Sequence, residues 1–242
     1  MPTLSERYLA GESEQVWSEL LDLGTDVRHP LVLPQATWVA HETMRRAQAN
    51  ILILISALRA RGYRFGIFSD GAFQPTRPYH PPSKTSLTKL RQLSKMAGPL
   101  PLSLEAWYEV VGSVHLVGQA PWGDTDVLAD ALVVESVDTV LHFVREWKAE
   151  WGDVPLEEQE EPCLAEFAPD EYHKADISGG PAYAIRLPNG SADARVENEW
   201  HDLTFVAYLR ECFACAGFPG LARLPGGLPE DLRHLAKTLH PL

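Results

Sequence analysis

The chain is poor in cysteine, with three in 242 residues. That number excludes a disulfide framework and points to a reducing compartment, since a stapled secreted domain carries more, usually in even number. It also lacks a long hydrophobic run. The longest apolar stretch, residues 51–58, is interrupted by Ser56 and falls far short of the roughly 20 residues that cross a bilayer. The opening MPTLSERYLAGESE has neither a basic nor an apolar region of the kind a signal peptide needs. The expectation is a cytoplasmic protein that does not enter a membrane. Basic residues are also scarce, with 21 Lys and Arg against 33 Asp and Glu and a net charge of -12. Generic nucleic-acid binding needs cations facing phosphate, so no nucleic-acid partner is expected.

What is present is ordinary for a globular fold: 45% hydrophobic and 22% charged residues. Charge is unevenly spread. Residues 1–100 carry a net +4 and residues 101–242 a net -16. Residues 146–171 hold ten carboxylates against Lys148, centred on LEEQEEP at 156–162. Such a run is either a solvated connector kept soluble by repulsion or a face built for a basic partner.

Periodicity divides the chain into a helical N-terminal arm at 1–68, a Pro-rich linker at 69–84, an α+β domain at 85–220 and a tail at 221–242. Apolar spacing predicts helices over 4–23 and 35–61, then over 86–97, 103–111, 137–151 and 203–216. Ser103 and Ser136 are expected as N-caps and Gly112 as a left-handed C-cap. SDGAFQPTRPYHPP at 69–82 reads as loop, because four prolines and a glycine bar regular structure. Strands are expected at 113–118, 131–134, 163–168 and 182–187. PDEYHK reads as a turn, and Asn189-Gly190 signals a hairpin returning along 192–196. This order predicts a mainly antiparallel sheet flanked by helices, with the helical arm packed on it.

Catalytic motifs are few. Cys212 and Cys215 form a C-x-x-C, but near the C-terminal end of a predicted helix, where the dipole disfavours thiolate, so both are expected reduced and inward-facing. His41-Glu42 is followed by Arg45 where a zincin needs histidine. There is no nucleophile elbow, and SGGPAYA lacks the lysine of a P-loop. Asp170, His173, Glu199 and His201 lie near predicted turns and form the one alternative constellation, a metal-dependent enzyme site. Otherwise no catalytic residue, metal or cofactor is expected.

Three blocks carry a family resemblance: PLPLSLEAWYEVVGSVHLVG, DALVVESVDTVLHFVREW, and EFAPDEYHKADISGGPAYAIRLPNG with the later TFVAYLRECF. Their order resembles the SUKH superfamily over residues 85–218. That superfamily includes fungal cell-wall-assembly regulators and bacterial immunity proteins against secreted toxins. The resemblance makes Pro101, Trp107, Gly112 and Gly118 fold markers. Val111-Gly112 stands where the family often has Asn-Gly, and the helical arm is an addition. The resemblance implies a non-enzymatic protein that neutralises a toxin by direct contact, with a basic toxin domain as the partner. Glu157, Glu158, Glu160, Glu161, Asp170 and Glu171 are the expected contact residues. An intracellular scaffold or regulator remains the other binding role.

Overall fold

The computed structural model describes residues 2–69, 72–121, 128–155 and 158–242. Among them it is α+β: helices flank three small antiparallel sheets. The N-terminal segment is two helices, α1 (Leu4–Leu9) and α2 (Ser13–Asp22), rather than one over 4–23. Gly11 breaks them with φ +99°, a conformation that costs glycine little. Thr3 caps α1 through a reciprocal capping box with Glu6. The long helix α3 (Leu33–Ala60) follows, with Pro34 in its first turn, where the missing N–H has no intrahelical partner to lose.

The largest departure from the sequence expectation comes next. The end of the segment read as a helical arm and the Pro-rich loop after it hold strands β1 (Arg64–Ser69), β2 (Ala72–Pro75) and β3 (Tyr79–His80). Pro75 sits at the end of β2, an edge strand, where its missing donor costs no ladder bond. Helices α4 (Ser86–Ala97) and α5 (Leu102–Val110) then fall within a residue of their expected spans. The strand expected over 113–118 is two: β4 (Ser113–His115) and β5 (Gly118–Gln119). They part at once, β5 pairing with β1 and β4 pairing with β3 and β6 (Val133–Val134).

Helix α6 spans Val137–Trp151, as its apolar spacing predicts, and Ser136 caps it by accepting from the Thr139 amide. Strand β7 (Leu164–Ala168) leads into PDEYHK, which is not a simple turn but a short helix, α7 (Glu171–Lys174), capped by Asp170. Strand β8 (Tyr183–Arg186) pairs with β7. No hairpin forms at Asn189-Gly190 and 192–196 is not a strand. The Asn189 carboxamide instead accepts from the Ser191 amide at 3.0 Å, and its own amide donates to the Pro99 carbonyl. Its strand-type pairing is limited to isolated bridges, Ala184 to Glu197 and Arg195 to Thr204, among the described residues. Helices α8 (Phe205–Ala214) and α9 (Glu230–Ala236) complete the order.

One apolar core runs through the N-terminal arm, the α+β domain and the tail, and Tyr79 of the linker packs against it. Tyr8, Leu54, Phe65, Trp107, Phe205, Leu232 and Leu242 belong to it. Helix α3 lies against α5, and α6 covers β7 and packs on α4. The tail is fastened to α3 by a reciprocal pair: Asn50 donates to the His240 carbonyl at 2.9 Å and accepts from its amide at 2.7 Å. No helix among the described residues is long and apolar enough to cross a membrane.

Candidate functional site

Polar groups converge on α7. Asp170 Oδ1 accepts from the His173 amide at 2.7 Å, and its Oδ2 lies 3.1 Å from His173 Nδ1. Capping turns α7 so that Lys174 points inward. Its Nζ lies 2.6 Å from Asp130 Oδ1, and both side chains are only 2% exposed. The Tyr183 hydroxyl donates to Asp130 Oδ2 at 3.2 Å, and Lys174 Nζ stands 4.5 Å from the centroid of the Tyr183 ring. Glu171 pairs with Arg223, whose guanidinium lies 5.0 Å from the Trp200 ring. A cavity of about 40 Å³ lies beside this group, lined by Tyr63, Asp130, Glu171, Lys174 and Phe218. At about 10–15 Å³ each it has room for two or three waters.

This interior group ties α7 to Asp130 and to β8. Burial first, then the Asp130 and Glu171 charges, pushes the Tyr183 hydroxyl far above its ordinary value, so it stays a donor. Lys174 is enclosed, and its Nζ is engaged by the Asp130 carboxylate. On the far side of Lys174, His115 lines a separate crevice of about 260 Å³, together with His173. Burial, then the Lys174 charge, lowers the His115 pKa, which leaves a neutral imidazole.

A wider groove of about 570 Å³ opens on the other side of Asp170 and His173. Its walls are mostly apolar, with Phe143, Ala168, Pro169 and Pro181. Besides Asp170, two carboxylates line it. Glu135 follows β6 and is placed by its own amide, which donates to the Phe167 carbonyl at 2.7 Å; Glu166 stands in the middle of β7. Burial raises the pKa of both, and the Glu161 charge raises Glu166 further. Among the described residues neither is in an ion pair.

The acidic run after α6 lies at the surface. Glu150, Asp153, Glu158, Glu160 and Glu161 are exposed, and none is in an ion pair among the described residues. The loop is fastened by its backbone: Trp147 donates to the Glu161 carbonyl at 3.0 Å, and Gln159 donates to those of Trp151 and Val154. Glu157 lies outside the described residues. Asp170 and Glu171 differ from the other expected contact residues. Both are buried, one as the cap of α7 and one as the partner of Arg223, so neither presents a carboxylate on an open face.

The alternative metal constellation is divided. His173 pairs with Asp170, while His201 pairs with Glu199 at 2.6 Å. No group of three or more His, Cys, Asp or Glu side chains able to hold a metal is gathered among the described residues. Cys163, Cys212 and Cys215 are free and buried. Of the four fold markers, Pro101 stands at the N-cap of α5, and the buried Trp107 donates to the Gly112 carbonyl at 2.9 Å. Gly112 has φ +94°, and a Cβ there would come within 2.8 Å of the Pro81 backbone. Gly118 pairs with Phe65 where β5 meets β1.

Sequence reasoning did not single out Asp130, Lys174, Tyr183, Glu135 or His115. One signal was available: Lys174 is the sole lysine between residues 149 and 236, in an acidic stretch. No protein-family model, curated protein or solved structure matches the chain.

Proposed function

We propose that this is a non-enzymatic protein that captures a basic protein partner by direct contact, as toxin-immunity proteins do. The observation that carries it is the exposed carboxylate run after α6, where Glu158, Glu160 and Glu161 are in no ion pair among the described residues, while the buried carboxylates Asp130 and Glu171 each have one. Like charges held side by side repel, and a basic surface relieves that repulsion while speeding encounter. The SUKH-like block order supports the same reading. The interior is compatible with it: the enclosed Lys174 is already paired with Asp130. The proposed compartment is the cytoplasm, where three free thiols persist. The reading needs no metal or cofactor.

The test begins with the product of the neighbouring reading frame. It is expected to be basic and toxic, to bind this chain one to one, and to lose toxicity on binding. Changing Glu158, Glu160 and Glu161 together to Lys should leave folding intact and abolish both binding and its salt dependence. A variant that binds and protects as well as the wild type would make the run a solvated connector and overturn the reading.

A further inference from the structure

We propose that the groove between α6 and the Pro169–His173 segment is a pocket for one arginine side chain of the partner. The identity of the partner rests on the contact-binding reading above; the chemistry of the pocket does not.

The occupant follows from shape and charge together. The groove has about 570 Å³ of space and mostly apolar walls. Phe143, Ala168 and Pro181 suit a methylene stem, which arginine buries while its head stays polar. Phe143 also offers a ring against which a guanidinium can lie flat. Glu135, just after β6, and Glu166 of β7 bring two carboxylates to the groove, and neither is in an ion pair among the described residues. The carboxylates nearer the interior are already spoken for: Asp170 holds His173 and the start of α7, and Asp130 holds Lys174. The groove thus holds two half-buried acids in a mostly apolar setting: Glu135 accepts from the Ser136 amide and the Thr139 hydroxyl, Glu166 is in no ion pair among the described residues, and Asp170 and His173 on the same wall are engaged with each other. Burial pushes both acids above their ordinary pKa, so an incoming cation recovers a penalty already present.

A guanidinium fits better than an ammonium, because its planar fork can serve two separate carboxylates while stacking on a ring. The Glu161 charge is felt at Glu166, so the pocket lies within reach of the exposed acidic run. The run would attract a basic surface, and the groove would then fix one residue of it.

The experiment uses the full chain and three small probes: N-acetyl-arginine amide, its uncharged isostere N-acetyl-citrulline amide, and N-acetyl-lysine amide. Amide chemical shifts are followed by NMR during titration. The arginine probe is expected to bind in about the millimolar range, shifting the signals of Glu135, Phe143, Glu166 and Ala182. Glu135→Gln and Glu166→Gln should each weaken it about tenfold, the size of one lost charge-assisted hydrogen bond. Thermal melting confirms that the variants are folded, and mapping on the wild type needs no variant. The assignment is overturned by an absence of shifts at the groove, by citrulline binding equally, or by lysine binding as tightly as arginine. The two proposals fail separately. No probe binding, with charge reversal of the outer loop still abolishing partner binding, removes the pocket and keeps the contact reading. Probe binding without any basic partner does the reverse.

Discussion

The hydroxyl of Ser103 donates to Oδ1 of Asp193 at 2.6 Å, and both side chains are buried. The other carboxylate oxygen accepts from the Val206 amide at 3.0 Å. One acid thus ties the first turn of α5 to the first turn of α8. Ser103 is not the N-cap of its own helix, which begins at Leu102. Ser103→Ala leaves a buried carboxylate one donor short and should cost about 1–3 kcal/mol. Urea unfolding at pH 7 should show a lower midpoint with an unchanged slope.

The Lys174–Asp130 pair should behave as a buried pair does. Lys174→Met strands a buried carboxylate and should cost about 3–5 kcal/mol. Adding Asp130→Asn should recover much of that loss. Asparagine tolerates the left-handed backbone at this position (φ +47°) and can still accept from Tyr183. A double-mutant cycle by chemical unfolding measures the coupling. Simple additivity would show that the pair contributes nothing specific.

Glu135 sets a pH dependence opposite to ordinary acid denaturation. Burial raises its pKa in the folded state, opposed by the Ser136 backbone and the Thr139 hydroxyl. The unfolded chain therefore releases this proton first as pH rises. The stability it contributes is fully present below the unfolded value of about 4.3, and is lost as pH climbs through the folded value. Glu135→Gln removes that loss. Its stability relative to wild type should be higher at pH 7 than at pH 4, as read from paired urea curves. A difference that grows toward acid contradicts the burial argument.

The three thiols should be inert in the folded protein. Burial pushes Cys163 up to about 11 and Cys215, which also faces Glu211, up to about 12. Cys212 is also raised, again mainly by burial. A disulfide reagent at pH 8 should label all three in denaturant and leave them unreacted in buffer over the same time. Rapid labelling of Cys212 would place α8 outside the core.

The acidic run should be nearly silent for stability. Glu158→Lys, Glu160→Lys and Glu161→Lys each change an exposed side chain without an ion pair. Each should stay within about 0.5 kcal/mol of wild type. Thermal melts in low and high salt check this, and a large loss would show that the loop packs more closely than its exposure implies.

Much of the helical framework was legible in the residues themselves. The spacing of Val137, Val140, Leu141 and Val144 placed α6, Ser136 marked its start, and Gly112 marked the end of α5. Exposure of Glu158, Glu160 and Glu161 followed from the cost of burying neighbouring carboxylates. Each of these is a local matter. A helix closes its hydrogen bonds within four residues, so apolar period and capping residues suffice to announce it.

The strands and the polar interior were decided elsewhere. Strands β3, β5 and β6 are two residues long and carry no alternation of their own; each exists because a distant segment supplies its bonds, as Arg64 and Phe65 do for β5. Asn189-Gly190 has the composition of a hairpin turn, yet the Pro99 carbonyl takes the Asn189 amide and β7 takes β8. Asp170 and Glu171 read as surface acids within an acidic run, and only the direction of α7 turned them inward. Lys174 meets Asp130 across 44 residues and Ser103 meets Asp193 across 90. The sequence by itself determined the main helical segments and that Glu158, Glu160 and Glu161 must face water. Tertiary structure alone decided which acids found a buried partner and which strands formed, because both depend on groups far apart in the chain being brought within a few ångströms.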